Sequence, residues 1–322
     1  MLRRWVTKPL IAMGYIVLVS AMGFGVWVWR ASAPQDMAPL EARQAAWRQA
    51  MVWVKTHEDA LLRDPNSALW WMLRHAAEAA ADAELQALVA RHLEWQYPPL
   101  DGGYSPWRRL IDGRSPVAPE ALTRVAMTPM APYQRDFLQA ASCQMVPAAD
   151  AHVSGDFLVR NLCRPNLWHT LTQDKVCATH QLMTLQVHRQ SGCAGGLPAT
   201  ALRAELLADV QSQIMWLPVF EDAYIQRVLM LYWQRGGAAT RPVWFNRVLM
   251  AQRADGGWAG ERWVLELPLA LQPSSVRNAL WARLGRQVRP VESDFHATAQ
   301  AMLLVALSLK SDHQGVWALS EQ

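Results

Sequence analysis

The sequence has four cysteines, Cys143, Cys163, Cys177 and Cys193, all in one stretch of the chain. In an oxidising compartment an even, clustered set reads as two disulfides. Three connectivities are open, and neighbour pairing, Cys143–Cys163 and Cys177–Cys193, is the expected one. Each closed loop would add on the order of 3 kcal/mol in the chain-entropy model. The bridges would brace residues 146–165, where helical periodicity is poor. The rival chemistry is a metal site. Cys177 and His180 lie one turn apart, Asp174 lies one turn before and His188 two turns after, with His152 and His169 nearby. Thiolate, imidazole and carboxylate all suit zinc. Yet no Cys-x-x-Cys or His-Glu-x-x-His motif occurs, and ligands at three-residue steps drift around a helix. Disulfides are therefore preferred, no cofactor is favoured, and zinc is the alternative.

His180 and His296 each sit early in an apolar helical pattern. A core histidine bonded to backbone is the commoner case, and a cavity-lining role beside Asp174 or Asp222 is the functional one. Glu221 and Asp222 precede a helix whose dipole they complement. Paired carboxylates can cleave glycosides, and Asp156, Asp174, Asp222, Asp255 and Asp294 are candidates by type alone. No Gly-x-Ser-x-Gly elbow or phosphate loop is present.

Two segments must position these groups. Thr240 to Trp258 reads as a helix, with Thr240 as N-cap, Pro242 in the first turn, and Trp244, Val248 and Ala251 on one face. Asp255-Gly256-Gly257 ends it, since glycine takes the left-handed conformation at little cost, and Trp258 anchors the turn. The second segment, Ser293 to Leu309, is capped by Ser293 or Asp294. It is apolar on most sides, which predicts burial on most sides.

This pair resembles the repeat of the α/α toroids, the terpenoid cyclases and protein prenyltransferase β subunits. The residues that carry the resemblance are Arg253-Ala254-Asp255-Gly256-Gly257-Trp258, His296-Ala297-Thr298-Ala299-Gln300-Ala301 and Cys177-Ala178-Thr179-His180-Gln181-Leu182. The resemblance covers about residues 166–310. It implies inner helices opening with His180 and His296, and a zinc set of Cys177, His180 and His296 as the alternative chemistry. The cyclases' Asp-x-Asp-Asp motif and the prenyltransferases' Asp-x-Cys pair are absent.

The whole chain has 322 residues, 52% of them hydrophobic and 18% charged, with 17 Trp. That composition is globular or partly membrane-bound, not disordered. The net charge of +4 is accounted for by Arg3, Arg4, Lys8 and Arg30, with no acid in residues 1–30. The rest is balanced, which argues against nucleic acid as a partner. Residues 9–29 carry no charge and as a helix would span roughly 30 Å, the hydrocarbon thickness. Trp5, Trp27 and Trp29 suit the interfaces, and the leading positive charges keep the start cytoplasmic. A retained anchor is expected. A cleaved signal peptide ending at Ala31-Ser32-Ala33 is the alternative.

Residues 31–40 read as a linker and 41–322 as an extracytoplasmic helical domain. Its expected elements include a helix from Glu41 to about Arg63, a turn and start signal at Asp64-Pro65-Asn66-Ser67 followed by a helix through about Ala80, then Asp82–Trp95, Leu167–Arg189, Leu202–Leu217, Val219–Gln234 and Pro273 to about Leu284. Residues 96–119 read as an ordered loop with Asp101-Gly102-Gly103-Tyr104 as a degenerate turn, and Trp263–Leu267 as a short strand or extended arm. The fold class is all-α: a transmembrane helix followed by an α/α-toroid-like domain. The expected role is ligand or partner binding at the inner (cell) membrane, in the periplasm, with an envelope protein or a lipid or glycan as the partner. A toroid-type enzyme acting on a glycan or isoprenoid-type lipid is the alternative.

Overall fold

The computed structural model describes residues 3–113, 115–118, 132–143, 177–192, 199–216, 220–237, 240–260 and 292–314. The described residues are helical, with only isolated bridges at Leu100–Gly103 and Tyr104–Val117. The helices are α1 (Arg3–Arg30), α2 (Leu40–Thr56), α3 (Glu58–Leu62), α4 (Ser67–Ala79), α5 (Ala83–Gln96), α6 (Pro106–Asp112), α7 (Pro132–Ala141), α8 (Cys177–Gln190), α9 (Ala199–Trp216), α10 (Asp222–Arg235), α11 (Pro242–Met250) and α12 (Phe295–Gln314). Over Met13–Arg30, α1 is long and apolar enough to cross a membrane, and none of that stretch is buried by the rest of the chain.

The core is built around α12. Every residue from Ala297 to Leu309 is buried, as the all-round apolar pattern requires. It packs on α2, α4, α10 and α11. Contact pairs fix the chain directions. Trp70 near the start of α4 meets Phe295 at 5.8 Å, and Asp222 at the start of α10 meets His296. Along α8 and α10, Thr179 bonds Gln226 and Gln186 bonds Gln234. Further along α4, His75 meets both Trp233 of α10, at 5.1 Å, and Gln190 at the end of α8, at 2.9 Å. Thus α4, α8, α10 and α12 run parallel with their N-termini at one end. Helix α2 runs the other way: Arg43 donates to the Ser308 carbonyl, whereas Trp53 lies beside Gly257 and Ser293. One apolar cluster runs through α2, α4, α5, α8, α9, α10, α11 and α12, so the early helices belong to the same core as the late ones.

Several boundaries differ from expectation for local reasons. The Glu41–Arg63 helix is divided at His57. Its Nδ1–H donates to the Trp53 carbonyl at 2.8 Å and its ring stacks on Trp53 at 4.4 Å, which holds the backbone out of the helical conformation. The loop expected over 96–119 contains α6, started by Ser105, whose hydroxyl accepts from the Trp107 N–H, and by Pro106, and ended by left-handed Gly113. Those are ordinary start and stop signals. Thr240 does not cap α11. Its hydroxyl donates back to the Gly236 carbonyl at 3.3 Å, and the helix begins at Pro242 after Arg241. Asp82 does cap α5, accepting from Leu85 at 3.0 Å.

The Asp255–Trp258 turn lies beyond the end of α11 and docks on α2. An added Cβ on Gly256 would sit 2.1 Å from the Gln49 carbonyl oxygen, at a φ of +93°. Trp258 is fully buried and its Nε1–H donates to the Val248 carbonyl at 2.7 Å. Among the described residues no cysteine is free and Cys143 is disulfide-bonded; the sulfur it joins lies outside them. Asp156, Asp174, Cys163, Cys193, the side chain of Cys177, the Trp263–Leu267 arm and the Pro273–Leu284 helix also lie outside the described residues.

Two outcomes follow from this packing. Gly256→Ala meets backbone that cannot yield, so urea unfolding should show a loss above about 2 kcal/mol. Gly192→Ala, left-handed but in open space, should cost only about 1–2 kcal/mol. The second outcome concerns His92, stacked on Trp70 at 3.8 Å with Nδ1–H donating to Leu62. Burial pushes its pKa down to about 4, against the Leu62 bond and the Asp64 charge. The unfolded chain takes up a proton near 6.5 and the folded chain only near 4, so this stability is present above 6.5 and is lost as pH falls through that window. His92→Gln should flatten the pH dependence of stability there by up to about 3 kcal/mol. Parallel pH profiles for the two proteins would contradict it.

Candidate functional site

Three polar side chains meet where the parallel helices begin. His296 is the second residue of α12, Asp222 the first of α10 and His180 the fourth of α8. Asp294 starts α12 by accepting from the Ala297 N–H at 2.7 Å, while its other oxygen accepts from Gly260 N–H at 2.9 Å. The Trp258 N–H donates to the Thr298 hydroxyl at 2.9 Å, and the Trp258 carbonyl accepts from Asp294 N–H at 2.8 Å. The strand of chain from Trp258 to Gly260 is therefore tied along the first turn of α12. Gly260 passes so close to α10 that a Cβ there would lie 2.9 Å from the Asp222 Cβ. Small size at Gly260 lets Asp222 reach His296.

His296 Nδ1–H donates to Asp222 Oδ1 at 2.8 Å, with both side chains partly open to solvent. Burial works against its charged form. The Asp222 hydrogen bond and charge, aided by Asp294 and Asp64, outweigh that and raise the His296 pKa. His180 goes the other way. Burial, then repulsion from His296, pushes its pKa down to about 4, against the attraction of Asp222. Its ring stacks on Tyr133 at 4.3 Å, with Phe137 edge-on. The two imidazoles are thus pushed in opposite directions, the kind of divergence that separates acid and base roles. Nearby, Asp136 is pushed up to about 6 by burial, against the charge of Arg135. Buried Arg227 donates from Nε to Gln213 at 2.9 Å and lies 3.8 Å from Glu221. Burial lowers its pKa to about 10, against Glu221 and Asp222.

Of the residues singled out in the sequence, the structure brings together His180, His296 and Asp222. It places Asp255 in the turn, accepting from Gly257 N–H and the Ser293 hydroxyl. Among the described residues no three His, Cys, Asp or Glu side chains gather as metal ligands. Tyr133, Gln226, Gln300, Arg227 and Gly260 complete the site and were not picked out from the sequence. Gln226 and Gln300 had a readable signal, because each lies four residues after Asp222 or His296 inside an apolar helix. Comparison with family models, with curated proteins and with solved structures finds no match.

Asp222→Asn should lower the His296 pKa, since it removes the hydrogen-bonded charge that opposes burial. Histidine ring NMR titration of the two proteins checks this. An unchanged His296 titration would show that the contact does not set its protonation.

Proposed function

We propose that this chain is a single-pass, membrane-anchored protein of the cell envelope. Its helical domain, arranged like an α/α toroid, binds a ligand or partner at the end marked by His180, Asp222 and His296. The observation that carries the reading is how the core is filled. The space among the parallel helices is occupied by Trp70, Trp71, Met302, Leu303 and Leu304, each exposed by 1% or less. A titratable and partly open pair, His296 and Asp222, lies at the N-terminal end. The acids there are largely committed to structure: Asp294 by both oxygens, Asp255 in its turn, and Glu221 beside Arg227. That supports recognition over hydrolysis by a carboxylate pair. The apolar, unburied α1 supports the anchor, and Cys143 in a disulfide supports an oxidising compartment.

A second reading has one observation in its favour, the opposite pKa shifts of His180 and His296. It is a toroid-type enzyme acting on a glycan or isoprenoid-type lipid, with zinc as its metal. The test runs in two steps. The full chain should stay in carbonate-washed membranes, leave them when residues 1–30 are deleted, and be digested by protease added to spheroplasts. Release by carbonate, or protection from the protease, would sink the anchored reading. Metal content then separates the two roles. The binding reading expects no bound zinc, whereas stoichiometric zinc lost on His180→Ala or His296→Ala would make the domain an enzyme.

A further inference from the structure

The segment between α1 and α2 is fastened to the fold at one end only. Arg241 donates to the Ser32 carbonyl at 2.9 Å, and Asn246 donates to the Asp36 carbonyl and accepts from the Ala38 N–H, both at 2.9 Å. Arg43 then bridges the Ala38 carbonyl and the Ser308 carbonyl, late in α12. Ala31, just past α1, is already buried. So the chain leaves α1 at the end where the parallel helices finish. His296, Asp222 and His180 lie at the end where those helices begin. From His296 to Ser308 the helix rises about 18 Å.

We infer that the site faces away from the bilayer that α1 enters and takes its ligand from the water beyond it rather than a lipid from that membrane. This rests on the binding reading above and narrows it, disfavouring an isoprenoid lipid of that membrane by position.

The full chain in lipid nanodiscs carrying a gadolinium chelate on the headgroups tests the orientation. His75 is the internal control. It lies at the other end, 2.9 Å from Gln190 at the close of α8. The expected result is a broadened His75 ring NMR signal with those of His180 and His296 left sharp. Broadening of His180 and His296 in preference to His75 would overturn the orientation. Because the chain is already in a bilayer, that failure is distinct from failure of the anchor. For the ligand source, polyprenyl phosphate added to the nanodisc should leave the His180 and His296 signals where they are. A shift of either signal would overturn the inference.

Discussion

The docking of the Trp258 turn on the first turn of α12 is the constraint on which the rest depends. A helix start leaves backbone N–H groups without intrahelical partners, and α12 is buried from Ala297 onward, so water does not serve it well there. The structure solves this with Asp294 and with the backbone of Trp258, which exchanges hydrogen bonds with Asp294 and Thr298. The same turn needs Gly256, because it lies on the backbone of α2, and Trp258 needs the Val248 carbonyl, because its indole N–H is buried. Helices α2, α11 and α12 are thereby held in one arrangement, and the direction of α12 presents His296 to Asp222.

Parallel packing of α4, α8, α10 and α12 has an electrostatic consequence. Their N-terminal dipole ends lie together and favour negative charge there. Asp222 and Asp294 occupy the starts of α10 and α12, and Asp64 lies just before α4. Those acids in turn favour the protonated form of His296, while His180, deeper and beside Tyr133, stays neutral. The two rings are therefore pushed in opposite directions because of where each helix starts. Packing decides the rest: the interior is filled with tryptophan, leucine and methionine, which leaves the helix ends as the place for chemistry.

Much of this was legible residue by residue and little of it pair by pair. The Asp255–Trp258 turn, the Asp294 cap and the all-round burial of α12 follow from local signals, because each is decided within a turn or two of chain. His180, Asp222 and His296 stood out by type, yet the bond between Asp222 and His296 joins residues 74 apart in sequence, which no local periodicity reports. The same limit applies to α4. Its amphipathic pattern gives a helix, but its place shows only in contacts such as Trp70 with Phe295 of α12 and Trp71 with Trp233 of α10. Local rules also failed where a side chain outcompeted them. His57 bonded back to Trp53 and broke a helix, and Thr240 bonded back to Gly236 instead of capping one.

Native-state hydrogen exchange at the amides of Trp258, Gly260 and Ala297 tests the central claim most directly. Each donates to a side chain that ties the turn to α12. If the turn is fixed to the helix as argued, all three exchange only through large-scale unfolding, with protection close to that of the interior of α12. Exchange through local opening at Trp258 and Gly260, with α12 still protected, would mean that the turn rests against the helix without holding it, and the account of how His296 is positioned would fail.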